Sequence, residues 1–141
     1  DSFAAAIDDL AMAVLLGELP VADRHLNQLL GAGEPAVRLI RVLAGWVTRL
    51  LRMRMDVERG QTAEQVVDGA RPPIFWKVKD RVAVVLGRWS AERLARVSES
   101  LLECEIALKR ARAPDQLLLR RTLDAIASQG RRSADRREVR G

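Results

Sequence analysis

GEPAVRLIRVLAGWVTRLLRMRMDVE, residues 33–58, holds apolar residues at helical spacing from end to end. Leu39, Leu43, Trp46, Leu50, Met53 and Val57 make one stripe; Val37, Ile40, Ala44, Val47 and Leu51 make a second beside it. Only a narrow polar edge remains, at Arg38, Arg41, Thr48, Arg52 and Asp56. A stripe this wide belongs to a helix packed against several neighbours at once. Pro35 suits its first turn and Gly60 lies just beyond its end.

The same 3.6-residue period recurs on both sides, broken each time at Gly or Pro. Upstream, Phe3, Ile7, Leu10 and Val14 predict a helix that begins near Ser2 and stops at Gly17. Pro20 opens a second with Val21, Leu26, Leu29 and Leu30, closed by Gly31 and Gly33. Downstream, Thr62 and Gln65 have the spacing of a capping box for a short helix ending near Gly69. Pro72-Pro73 launches a helix over 74–88 with Ile74, Phe75, Val78, Val82 and Val85 on its apolar side. Ser90 caps the next, whose seam Leu94, Val97, Leu101, Cys104 and Leu108 steps by three and four. After Pro114, Leu118, Leu119, Leu123 and Ile126 predict a last helix ending by Gly130.

Val82 to Leu86 is the one run resembling a strand, and it sits inside the longer helical pattern. The expected architecture is therefore all-α, a bundle of six to seven helices without a fixed repeat. Residues 1–129 form the helical domain. Residues 130–141 form a basic tail without apolar periodicity, expected to be mobile.

Length and composition agree with this. The 141 residues suit one domain. With 48% hydrophobic and 30% charged residues, the chain is neither a disordered polymer nor a membrane protein. Its longest run without a polar or charged residue, Leu10 to Gly17, is far short of a membrane span. No signal peptide opens the chain, and Asp1 stands where an initiator Met would, which reads as a piece of a longer cytoplasmic protein.

The charge is lopsided: the only lysines are Lys77, Lys79 and Lys109, and the other cations are arginines. Of the net charge of +5, the last eleven residues supply +3, so a short tail explains most of the basicity.

Candidate chemistry is scarce. One Cys and one His exclude a disulfide framework, a Cys-based zinc site and a two-histidine metal site. Gly31-x-Gly33-x-x-Ala36 fits the letters of a dinucleotide fingerprint, but a helix precedes it where a strand is required. No phosphate loop of the G-x-x-x-x-G-K-[ST] kind occurs. Cys104 lies in an apolar seam, where a thiol is an inert hydrophobe, and His25 sits among exposed-looking positions. Asp8-Asp9 reads as a solvated edge, and Glu105 with Lys109 as a surface pair. No cofactor, metal or catalytic group is expected, and the chain reads as no enzyme.

Two features are candidates for nucleic-acid contact, set against a mixed solvated edge for the arginines and core or interface packing for the aromatics. Arg38, Arg41, Arg49, Arg52, Arg54 and Arg59 could neutralise phosphates, although Glu34, Asp56 and Glu58 share the segment. Phe75 and Trp76 are adjacent aromatics beside Arg71, Lys77 and Lys79, pointing about 100° apart on a helix. One can pack inward while the other stays available to stack on a base or a partner.

The order of motifs resembles the C-terminal domain of the bacterial DNA polymerase III delta subunit. The resemblance is carried by GEPAVRLIR at 33–41, LLRMR at 50–54, Pro72-Pro73-Ile74-Phe75, Trp89-Ser90 with Leu94, Glu105 to Lys109, and Pro114-Asp115. It spans residues 3 to 128. It implies a non-catalytic helical collar that helps hold a five-membered clamp loader together, alongside the delta-prime and gamma/tau subunits. In such a subunit the first two domains form an AAA+-like module without working ATPase motifs, and the first grips the sliding clamp.

The assembly serves DNA-directed DNA polymerase III. The resemblance further implies that Phe75, with Trp76 beside it, meets primer–template DNA. It places a second aromatic near Arg112, where this chain has none and contains no Tyr, so an arginine would have to stack instead. The alternative is a stand-alone helical nucleic-acid-binding module using the third-helix arginines and the tail.

Overall fold

A computed structural model describes the backbone of residues 2–110 and 114–140, and the side chains of 3–110 and 114–136. Seven helices occur among these residues, with no strand: α1 (Ser2–Leu15), α2 (Leu19–Gly31), α3 (Ala36–Glu58), α4 (Ala63–Gly69), α5 (Lys79–Arg88), α6 (Ala91–Arg110) and α7 (Asp115–Arg140). The all-α bundle read from periodicity is the fold. No helix among the described residues is long and apolar enough to cross a membrane.

Two helices organise the core. The end of α1 is apolar all round and buried all round, from Leu10 to Leu16. It is packed by α2, α3, α5 and α7, which explains the long uncharged run. The second organiser, α3, buries Leu39, Ile40, Leu43, Val47, Leu50 and Met53 and touches α1, α4, α5, α6 and α7. It runs antiparallel to α6: Glu58 Oε1 accepts from the Ala91 N–H (3.2 Å), and Arg41 Nε meets Glu105 Oε2 (3.2 Å). The α6 seam is buried at all five positions, Leu94 to Leu108.

The local stop and start signals act as their chemistry demands. Thr62 and Gln65 form the reciprocal capping box, with Thr62 N to Gln65 Oε1 at 2.9 Å and Gln65 N to Thr62 Oγ1 at 3.1 Å. Ser90 Oγ accepts from the Arg93 N–H at 3.1 Å. Trp89, fully buried, donates its indole N–H to the Leu15 carbonyl (2.8 Å) and carries the Arg93 guanidinium 4.3 Å from its ring centroid.

Two expectations are corrected. The helix expected over 74–88 begins later. Residues 71–75 are non-helical, Trp76–Val78 make one 3-10 turn, and α5 starts at Lys79. Consecutive prolines at 72 and 73 supply no backbone N–H and bias their predecessors away from helix, so regular bonding begins only past them.

The second correction concerns Gly130, which does not end the last helix. α7 continues to Arg140, and Ser133 is buried in that continuation, so the proposed boundary between domain and tail at 129–130 falls inside a helix. Gly130 has a packing role instead. A Cβ there would lie 2.4 Å from the Leu15 carbonyl oxygen, and one on Gly17 would lie 2.4 Å from the Arg131 nitrogen. The helix crosses the α1–α2 turn backbone against backbone, through two glycines.

Candidate nucleic-acid interface

The segment between α4 and α5 carries Trp76, the most exposed large hydrophobic side chain among the described residues. Ile74 and Val78 are both buried, and they anchor the two ends of a short, tight bend. The residues between anchors four apart are turned outward, so Phe75 is 45% exposed and Trp76 71% exposed. The inward packing that a regular helix would allow one of them does not occur, since neither is buried. Such a helix would cover both, whereas the Pro-Pro bend puts Ile74 in the apolar slot. Phe75 also leaves the apolar side on which the helical pattern had placed it.

The rings stand with centroids 6.0 Å apart and planes tilted by 57°. Lys77 Nζ sits 5.4 Å from the Trp76 ring centroid, within cation–π range. The segment is tied down by Lys79 to Asp68 (3.3 Å), while Arg71 Nη1 donates to the Ala70 carbonyl (2.8 Å). Leaving a large indole in water forgoes roughly 2 kcal/mol of burial.

Beneath the ledge lies a groove of about 590 Å³ between α3 and α4, with Arg49, Arg52 and Arg71 on its walls together with Asp56. A recess of about 310 Å³ shares Gly45 and Arg49 with it and opens beside Phe75. In the recess Trp46 Nε1 donates to Asp8 Oδ1 at 2.8 Å. Burial pushes the Asp8 carboxyl above the usual carboxylate range, against the opposing pull of the Trp46 bond and the Arg49 charge.

The α3 arginines do not act as one basic face. Arg38 pairs with Glu34 (2.7 Å), Arg41 with Glu105, Arg54 with Glu58 (3.2 Å) and Arg59 with Asp56 (3.4 Å). Arg54 also donates to the Leu86 carbonyl. Arg49 and Arg52 make no ion pair among the described residues, and both line the groove. Both are among the six arginines named from the sequence, whereas Gly45, which also lines the groove, was not singled out there. The signal was a glycine in the middle of an otherwise strong helix.

Other sequence candidates are dispersed. Arg112 lies outside the described residues. Cys104 is buried, its Sγ 3.9 Å from the Leu118 carbonyl. Lys109 and Arg41 both reach Glu105 and hold its carboxyl below the usual range, the Lys109 bond contributing most. No group of three or more His, Cys, Asp or Glu is placed to hold a metal among the described residues.

Comparison with protein-family models, with curated proteins and with solved structures finds no match.

Proposed function

We propose that this chain is the collar domain of a bacterial clamp-loader delta subunit, a non-catalytic oligomerisation domain that touches primer–template DNA. The order and spacing of its sequence motifs support this reading, as does the all-helical architecture. The observation that carries the DNA contact is the exposure of Phe75 and Trp76 side by side, with Lys77 over the indole. Exposed aromatic faces next to cations are what unpaired or terminal bases stack on.

Neighbouring delta-prime and gamma/tau subunits would pack on apolar helix surface. Leu102 (57% exposed) and Ile106 on α6, four residues apart, are candidates for that contact, with Leu117 on α7. The sliding clamp belongs to the first domain of such a subunit. The stand-alone nucleic-acid module needs the α3 arginines, and four of them already have carboxylate partners.

The deciding experiment is reconstitution. Linked to the first two domains of its own protein, the chain is expected to co-purify with the ATPase subunits at moderate salt. Failure to assemble sinks the collar assignment. Within the assembled loader, Phe75→Ala and Trp76→Ala are each expected to weaken primer–template binding about tenfold, the scale of one lost base stack. Their unfolding midpoints should match the wild type. A fall in stability without loss of DNA affinity would show packing residues instead.

A further inference from the structure

We propose that the groove between α3 and α4 is a phosphate track for one strand of nucleic acid, leading past Arg52 and Arg49 to the Phe75–Trp76 ledge. The proposal rests on the ledge being a nucleic-acid contact, and it adds the path of the backbone and the cations that hold it.

Three observations converge on this path. The first is continuity. The groove and the recess beside Phe75 adjoin, with Gly45 and Arg49 lining both, which sets Arg71 and Arg52 at one end and the Phe75 ring at the other.

The second is an unsatisfied donor. Arg49 Nη2 is shut off from solvent and has no hydrogen-bond acceptor. A buried donor left unpaired is costly, and the natural partner of a guanidinium fork is a phosphate or carboxylate. The acids nearby are already engaged: Asp8 takes the Trp46 N–H, and Asp56 is paired with Arg59. Arg49 and Arg52, without a carboxylate partner among the described residues, line the groove with Arg71, which donates to the Ala70 carbonyl. An anionic ligand in the groove, with the Arg49 fork turned toward it, would answer them.

The third is Gly45. It lies inside α3, away from either cap, and its φ is not positive. A Cβ built on it meets nothing within 4 Å. Neither backbone geometry nor packing requires glycine at this position, and glycine is an unfavourable residue in a helix interior. Its place on the wall common to groove and recess gives it a reason: a side chain there would stand in the passage. Arginines beside a bare stretch of backbone and a stacking platform make up the general plan of a single-strand channel.

The test uses the full 141-residue chain and a dye-labelled strand of ten thymidines, titrated by fluorescence anisotropy at two salt concentrations. Arg49→Gln and Arg52→Gln are each expected to weaken binding about fivefold and to flatten the plot of log affinity against log salt by about 0.7, the value of one single-strand phosphate. Trp76→Ala should weaken binding about tenfold with the salt slope unchanged. Gly45→Gln is the sharpest variant. It should raise the melting temperature by about 3 °C, through helix propensity, while weakening the strand about fivefold. Arg38→Gln, at an arginine held by Glu34, should bind like the wild type.

Wild-type affinity and slope in Arg49→Gln, Arg52→Gln and Gly45→Gln, with Trp76→Ala still impaired, would overturn the track and leave the ledge standing. Arginine variants impaired with Trp76→Ala unaffected would remove the route to the ledge. Inorganic phosphate competing with the strand at equal phosphate concentration would make the groove a small-anion site and overturn the track. Assembly with loader subunits is a separate readout, so a failed collar assignment cannot be mistaken for a failed groove.

Discussion

Gly130→Ala is expected to destabilise the domain by about 3 kcal/mol, the upper part of the range for overpacking, although alanine is the better helix former. The new methyl would meet the Leu15 carbonyl oxygen at 2.4 Å, its carbon at 3.0 Å and the Gly17 nitrogen at 3.1 Å. All three are backbone atoms, so no flexible side chain can give way. α7 has to lift off α1, loosening Leu119, Leu123, Ile126 and Ala127, all of them buried. The propensity gain of roughly 1 kcal/mol offsets only part of this.

Gly17→Ala should be at least as damaging. Its φ of +76° adds roughly 1–2 kcal/mol for a residue with a Cβ, on top of a 2.4 Å approach to the Arg131 nitrogen. Urea unfolding with an unchanged m-value would read both, and the melting temperature should fall by about 10 °C. A Gly130→Ala protein as stable as the wild type would mean that α7 does not cross α1 at this point.

The second large effect is at Trp89. Trp89→Ala is expected to cost about 3–5 kcal/mol, the usual range for emptying an aromatic site in a core. Trp89→Phe separates the ring from the indole N–H. It preserves most of the apolar volume but strips the Leu15 carbonyl of its 2.8 Å donor, a loss of about 1–3 kcal/mol for a buried acceptor left bare. It also weakens the platform beneath Arg93, whose guanidinium, itself held at a lowered pKa chiefly by burial, lies over the indole. If the Phe variant unfolds at the wild-type midpoint, the hydrogen bond contributes nothing and the ring is only a filler.

Most of the helices were legible because their signals are local. The twin stripes of α3, the alternating seam of α6, the Thr62–Gln65 box and the Ser90 cap each depend on residues within one or two turns. What escaped the reading depends on residues far apart in the chain. Gly130 follows a periodic run and looks like a stop. Only the approach of the α1–α2 turn reveals it as a crossing point. The outward pose of both Phe75 and Trp76 follows from the bend after Pro72-Pro73, since a regular helix would have sent one of them inward.

The groove was half legible. Arg49 and Arg52 were visible as cations, but nothing in the order of residues separated them from Arg38 or Arg54, which are neutralised. Gly45 broke the local rule without a turn or a close contact to justify it. A rule broken without compensation in packing is the usual mark of a functional position.

The crossing at Leu15 and Gly130 also bears on how the chain is made. Of the seven helices α1 leaves the ribosome before the others, with Leu10, Met12, Val14 and Leu15 needing cover on every side. One wall of that cover is α7, the last of the seven in chain order. Until it emerges, the earliest helix keeps an oily flank that no nearer segment closes. The domain therefore completes itself late in synthesis, by joining its first helix to its last, and a polypeptide halted before α7 would be a natural client for chaperones.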